Sequence, residues 1–196
     1  MKERPILFSA PMVRAILEGR KTQTRRVVKT KHLKWLDEIG LNFLDGKWNQ
    51  RPLPYGQTGD RLWVRETWFC NDYRVQKGPY LKPDDFDVDS ERETGGLVYL
   101  ADGLPCWEGE EHEITWKPSI HMPRWASRIT LEVTGVRVER LQDISDIDAM
   151  AEGATQIGDC EGAFVAGFKR IWESINSPSS WAANPWVWVI EFRRLP

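Results

Sequence analysis

An α+β fold with one small, curled sheet is the class this chain of 196 residues predicts, and three observations carry it. The apolar residues of Ile129-Thr130-Leu131-Glu132-Val133 sit at odd positions, but after Gly135 they continue at even ones as Val136 and Val138. Such a phase slip marks a β-bulge or sharp bend, a device that curls a sheet toward a barrel. The last strand, Trp186-Val187-Trp188-Val189-Ile190-Glu191-Phe192, is apolar on both faces for five residues, as expected of a buried closing strand. Between the strands lie short segments of helical apolar spacing that end at glycines or turns.

In chain order, Ile6-Leu7-Phe8 is an apolar stretch, and Pro11 opens a segment in which Met12, Ala15 and Ile16 share a helical face that Gly19 is placed to end. A helix over about residues 10–18 therefore feeds a strand starting near Lys21. Gly59-Asp60 turns into Arg61-Leu62-Trp63-Val64-Arg65-Glu66, where Leu62 and Val64 share one face and Trp63 takes the other. Ser145-Asp146-Ile147-Asp148 is a capping-box-like start for a short helix that ends at Gly153. A longer helix spans about residues 162–175, with Phe164, Phe168, Ile171, Trp172 and Ile175 on one side. Residues 30–58 and 69–127 show no sustained period and are rich in turn formers, so they read as insertions into a single domain covering 1–196.

The formal net charge of −2 hides a bipolar chain. Residues 1–34 carry ten Lys/Arg against Glu3 and Glu18, while residues 82–113 carry eleven Asp/Glu against Lys82 and Arg92. A cationic segment of that density suits an anionic or nucleic-acid partner, unless the acidic stretch folds back and screens it. Cys70, Cys106 and Cys160 are odd in number and widely spaced, so neither a disulfide framework nor a structural metal is expected, and they read as reduced core thiols. No eighteen apolar residues run together and the start has no signal-peptide-like core, so the expectation is a soluble, cytoplasmic protein with no membrane partner.

Gly19-Arg20-Lys21-Thr22-Gln23-Thr24-Arg25-Arg26 places an ammonium three residues before a hydroxyl, among three guanidiniums. A threonine hydroxyl becomes nucleophilic when a base removes its proton, and a lysine is such a base when neighbouring positive charge depresses its pKa. Arg20, Arg25 and Arg26 supply that charge. The same residues would equally make a basic strand that contacts phosphate or keeps the surface soluble. In a regular strand Lys21 and Thr24 point to opposite faces, so their cooperation needs a turn or bulge between them. Among eleven tryptophans, Trp172, Trp186 and Trp188 fall in core periods. Trp63, Trp68, Trp107, Trp116, Trp125 and Trp181 lie in or beside loops, where an aromatic face near a cation either stacks a base or fills a local core.

Gly19-x-Lys21-x-x-Thr24-x-Arg26, the strand Gly59-Asp60-x-Leu62-x-Val64, the helix from Asp146 to Glu152 and the closing Trp188-Val189-Ile190-Glu191-Phe192 together resemble the ASCH domain family of the PUA-like superfamily. The resemblance covers about residues 1–30, 59–66 and 128–196. It implies a PUA-like small β-barrel with flanking helices and a cleft for a nucleobase or nucleotide. Thr24 stands where that family usually carries Glu, which is similar to a bacterial branch of N(4)-acetylcytidine amidohydrolases. On that likeness Thr24 is the nucleophile, Lys21 its activator and Glu152 the acid/base partner, while Arg26 orients substrate or pairs with Glu152. Further contacts for a modified pyrimidine nucleoside, free or within RNA, would come from Arg20, from Trp63, Arg65, Glu66 and Trp68, and from His121 in the second insertion. No metal or other cofactor is implied. That insertion has no counterpart in the branch, and its segment from Lys117 to Trp125 could wall the cleft.

Glu152 falls in the last turn of its helix, where the macrodipole disfavours a carboxylate and tends to raise its pKa, as suits a general acid. The rival readings are a non-catalytic RNA-binding module, with the basic segment on phosphates and tryptophans on bases, and a ribonuclease on the same fold using Lys21 and Arg26. Asp84, Asp85, Asp87 and Asp89 read as a solvated acidic loop rather than a cation site.

Overall fold

The computed structural model of the chain describes residues 1–29, 54–104 and 114–196. Most of the first expected insertion, together with Cys106 and Trp107, lies outside the described residues. In chain order the elements are β1 (Glu3–Leu7), α1 (Ala10–Leu17), β2 (Gln23–Val27), β3 (Arg61–Arg65), β4 (Trp68–Cys70), α2 (Val88–Glu93), β5 (Leu97–Tyr99), β6 (Thr130–Arg140), α3 (Asp146–Ala151), α4 (Ala163–Asn176) and β7 (Trp186–Arg194). No helix among the described residues is long and apolar enough to cross a membrane.

Five strands make one mixed sheet in the order β1-β3-β6-β7-β2. β1 runs parallel to β3, and the other neighbours are antiparallel. The predicted phase slip is present, since the register between β6 and β7 shifts between Val133 and Gly135. A Cβ at Gly135 would come 2.6 Å from the Oε2 tip of Glu191 on the neighbouring strand, so that side chain would have to swing aside. By keeping Leu131 and Val133, then Val136 and Val138, on the same side, the bulge lets one face stay apolar around the curve.

That face holds Ile6, Leu62, Val64, Leu131, Val133, Trp188, Ile190 and Phe192, and Val13 and Ile16 of α1 pack on it. Pro11 starts α1 at a position where its missing N–H costs nothing, and Val13 and Ile16, one turn apart, form the buried stripe. On the opposite face, Val187 and Val189 meet Ala149 of α3 and Phe168 and Trp172 of α4. β7 is therefore buried on both sides, as its unbroken apolar run requires.

The α+β class is as predicted, but the sheet is not closed into a barrel. β1 and β2 form the two ends of the strand order, and no ladder joins them among the described residues. A side chain crosses the seam instead: Nη2 of Arg26 on β2 donates to the Leu7 carbonyl at the end of β1, at 2.5 Å.

The second insertion is more structured than its sequence suggests. β4 and β5 pair into a two-stranded sheet, and Trp68, Cys70, Val75, Phe86, Leu97, Tyr99, Met122 and Ala126 form a core of their own. Strands of three residues are too short to display a period, so the alternation stays hidden in the sequence. Among the described residues, three carboxylates of the acidic run are engaged away from the basic N-terminal segment. Asp85 pairs with Arg74, Asp89 pairs with Arg92, and Asp87 caps α2 by accepting from the N–H groups of Asp89 and Ser90, all within the insertion. Of the cysteines, Cys70 is a buried thiol whose pKa burial pushes up to about 11, whereas Cys160 is exposed rather than in the core.

Candidate functional site

Two helix C-termini converge on Lys21. α1 ends at Glu18, Gly19 takes a left-handed φ of +75°, and the N–H groups of Arg20 and Lys21 both donate back to the Ala15 carbonyl. From the other side, the Thr22 N–H donates to the carbonyl of Ala151, the last residue of α3. Lys21 itself lies outside β2, in an isolated antiparallel bridge with Glu152, and the regular ladder begins at Gln23. The predicted strand thus starts two residues late, and alternation continues into it: Lys21, Gln23 and Arg25 reach Glu152 and Asp148 from one face, and no bulge among the described residues turns Lys21 toward Thr24.

The Lys21 side chain is fully buried, and each of its three ammonium protons has an acceptor. Nζ donates to the Gln23 carbonyl at 2.8 Å, to the Glu152 carbonyl at 2.9 Å and to Glu152 Oε2 at 2.7 Å. α3 has no basic residue in its last turn, and Lys21 supplies from outside the cation that its exposed carbonyl end favours. Burial lowers the Lys21 pKa below its ordinary value; Glu152 works against that shift, and Arg26 and Arg25 add to it.

Glu152 is the C-cap of α3, and Gly153 after it has a φ of +81°. Its second oxygen, Oε1, accepts from Arg25 Nη1 at 3.1 Å, so the carboxylate is held by two cationic donors rather than left to the helix dipole. Arg25, not Arg26, is the arginine that pairs with Glu152. Its guanidinium also binds Glu139 Oε1 at 2.6 Å and 2.8 Å and lies 3.4 Å from Asp148 Oδ2. Gln23 donates to Asp148 Oδ1 at 2.8 Å, and Arg137 ties Asp148 and Glu139 together. Burial pushes the Asp148 pKa up, but the Gln23 amide, Arg137 and Arg25 outweigh it and hold the carboxyl below its usual range.

Thr24 and Arg26 take the other face of β2. They pair with Ile190 and Trp188, whose side chains belong to the apolar cluster that contains Phe8. The Phe8 ring links this face to Lys21, with Lys21 Nζ 5.7 Å from the centroid and the Arg26 guanidinium 5.3 Å from it. Arg26 is mostly buried beside Tyr55; its pKa is lowered by burial, and its Nε is buried without a partner among the described residues. Thr24 is buried, and no hydrogen bond joins its hydroxyl to Lys21 among the described residues.

The remaining expected contacts are placed elsewhere. Arg20 is exposed and pairs with Glu18 at the end of α1. Trp63 lies under the guanidiniums of Arg65, at 4.8 Å, and Arg124, at 5.9 Å, on strand β3. Glu66 is buried in a bidentate pair with Arg128, at 2.9 and 3.1 Å, and burial raises its pKa while Arg128 restrains the rise. Trp68 is fully buried against Tyr80 and Trp125 in the core of the insertion, so it has no face to offer a base. His121 is exposed at the end of a short 3-10 turn, with the Tyr80 ring 6.2 Å away. Arg25, Gln23, Glu139 and Asp148 complete the Lys21–Glu152 cluster; sequence reasoning gave Arg25 only the charge that depresses the Lys21 pKa and gave the other three no role there. The spacing Lys21, Gln23, Arg25 was their signal, since alternate residues entering an edge strand share a face.

An α+β protein whose open sheet edge carries a buried Lys–Glu–Arg cluster is the class that fold and site define. No protein-family model matches the chain, and no curated protein matches it. Among solved structures, the chain is similar to the ASCH domain from Lactobacillus crispatus JV V101, with 13% identity over 98% of this chain and 79% of that one. The TM-score of 0.43 describes a loose superposition, which carries no argument about function.

Proposed function

We propose that the chain is a hydrolase that removes the acyl group from an N(4)-acylated cytidine or a similar modified pyrimidine nucleoside, with Thr24 as nucleophile. The observation that carries this reading is the buried Lys21–Glu152 pair next to the strand that bears Thr24. Burial and two neighbouring guanidiniums disfavour the charged lysine, and a carboxylate 2.7 Å away can take its proton. In the proposed reaction that transfer leaves a neutral amine, which accepts the Thr24 proton as the hydroxyl oxygen bonds to the acyl carbon. The C–N bond then breaks and the exocyclic nitrogen takes that proton, which releases cytidine. Water cleaves the threonyl ester, frees the carboxylic acid and restores Thr24. Arg26, stacked on Phe8 and with its Nε unpartnered among the described residues, would receive a polar group of the substrate.

A second reading has its own observation. All three Lys21 protons and both Glu152 oxygens are already matched, as in a cluster whose task is to hold the edge strand. A non-catalytic RNA-binding module would need nothing more of these residues. Incubation of the protein with N(4)-acetylcytidine, following cytidine by chromatography, separates the two. Release by wild type that Thr24→Ala abolishes supports the hydrolase, and no release by wild type at any pH sinks it.

A further inference from the structure

A groove of about 730 Å³ opens on the insertion, lined in part by Phe69, Asn71, Tyr73, Arg74, Lys77 and Lys117. None of these residues belongs to the Lys21–Glu152 cluster. The volume is that of a small-molecule site, and the lining combines aromatic surface with cations. Phe69 lies on the side of β4 opposite Trp68 and Cys70, whose side chains form the insertion's core, so alternation turns it toward the groove. Tyr73 is 80% exposed, with no ring or hydrogen-bond partner among the described residues, which is unusual for an aromatic side chain of its size.

The charges are arranged asymmetrically. Arg74 is committed to Asp72 and Asp85, both at 2.7 Å, so its single charge offsets part of theirs and is not free for a ligand. Lys77 and Lys117 have no carboxylate partner among the described residues, although the chain as a whole is acidic. Two unpaired ammonium groups beside an exposed phenol ring are the elements that hold a phosphate and stack a base, with the Asn71 amide available to a base edge.

We propose that this groove binds a nucleotide unit, its phosphate on Lys77 and Lys117 and its base on Tyr73. The same chemistry is offered by a free nucleoside monophosphate and by a residue of single-stranded RNA. Titration of the full chain with cytidine 5′-monophosphate and, separately, with a short oligocytidylate, read by calorimetry and fluorescence anisotropy, tells these sources apart. Binding of the mononucleotide identifies a small-molecule site, and binding of the oligomer alone identifies a strand site.

In either case Lys77→Ala/Lys117→Ala should weaken affinity at least tenfold and flatten the slope of log Kd against log salt by roughly one. Tyr73→Ala should weaken it roughly tenfold with the slope unchanged, and Tyr73→Phe should restore it. Release of cytidine from N(4)-acetylcytidine should be the same in all these variants as in wild type, which keeps this result separate from that of the hydrolase assay. All three residues are on the surface, so unchanged thermal unfolding confirms that each variant is folded. Failure of both ligands to bind wild type, or equal affinity of wild type and the double lysine variant, overturns the proposal.

Discussion

Lys21 and Glu152, 131 positions apart, are joined twice: their backbones form an isolated β-bridge, and Nζ of one lies 2.7 Å from Oε2 of the other. Both side chains are buried, and Arg25 occupies the second carboxylate oxygen. The pairing follows from the chain's path. α3 ends with carbonyls that need a donor, α1 ends one short turn before Lys21, and the edge of β2 brings the ammonium between them.

A buried pair of this kind resists the loss of one partner more than the loss of both. Lys21→Met should leave Glu152 partly uncompensated and cost about 3–5 kcal/mol, and the Lys21→Met/Glu152→Leu double variant should be less than additive. The pH dependence has a definite sign. Burial places the folded-state pKa of Lys21 below its ordinary 10.5, so between the lowered value and 10.5 the unfolded chain binds more protons than the folded one. Wild-type stability from this group therefore rises with pH across that window, and the deficit of Lys21→Met widens as pH rises. Urea midpoints at about pH 7 and about pH 10 check this; a deficit that narrows contradicts the assignment.

Thr24 tests chemistry rather than stability. Its side chain is small and takes no part in the ion-pair cluster, so Thr24→Ala should unfold within about 1 kcal/mol of wild type. If the threonine is the nucleophile, the same variant should lose cytidine release by roughly a thousandfold or more, while Thr24→Ser keeps measurable turnover. Paired kinetics and denaturation on the two variants decide the matter, and comparable rates for wild type and the alanine variant dismiss the nucleophile.

Much of the sheet was legible because its signals are local. Pro11 and Gly19 bracket α1, the slip at Gly135 marks the bulge, and the two-sided apolar run of β7 marks its central place. Lys21, Thr24 and Glu152 were legible only through a motif, and the motif did not distinguish Arg25 from Arg26. That distinction depends on which face of β2 each takes, and the acceptors that decide it, Glu139 and Asp148, lie more than a hundred residues away. The two readings of Trp68 stayed open in the sequence for a related reason. Its surroundings come from Tyr80 and Trp125, and no period in the sequence connects segments that meet only in the folded insertion.

Gly153 sets how closely α3 approaches Lys21. It has a φ of +81°, and a Cβ there would sit 3.0 Å from Ala15 Cβ and 3.3 Å from Lys21 Cβ. Gly158 has nearly the same backbone, with a φ of +83°, but nothing within 4 Å of its would-be Cβ. Gly158→Ala should thus cost only the left-handed penalty of about 1–2 kcal/mol. Gly153→Ala should cost more than this and shift Glu152 relative to Lys21, which crystallography or the Lys21 ammonium resonance would register. Equal costs at the two positions would mean that the contact is not tight.

The Glu66–Arg128 pair provides a test that is independent of the site. Glu66 is buried and its pKa is raised by burial, while Arg128 holds both carboxylate oxygens and also binds Asp102 at 2.7 and 2.9 Å. Between the unfolded value of 4.5 and the raised folded value, the folded chain binds more protons than the unfolded one. This group's contribution is therefore complete below the unfolded pKa and is lost as pH rises through the folded one. Arg128→Met removes the main groups that restrain the shift and leaves only the weaker pull of Arg92, so Glu66 should titrate higher still, and the variant should prefer a neutral carboxyl. The expected loss is about 3–5 kcal/mol near pH 8, where the buried charge stands alone, and markedly less near pH 5, where the carboxyl can keep its proton. Adding Glu66→Gln to Arg128→Met should recover stability at pH 8 and make little difference at pH 5. Chemical denaturation of the single and double variants at the two pH values measures this directly. A loss in Arg128→Met that is independent of pH would show that the arginine acts through its packing on Tyr99, 4.0 Å from the ring centroid, rather than through the charge of Glu66.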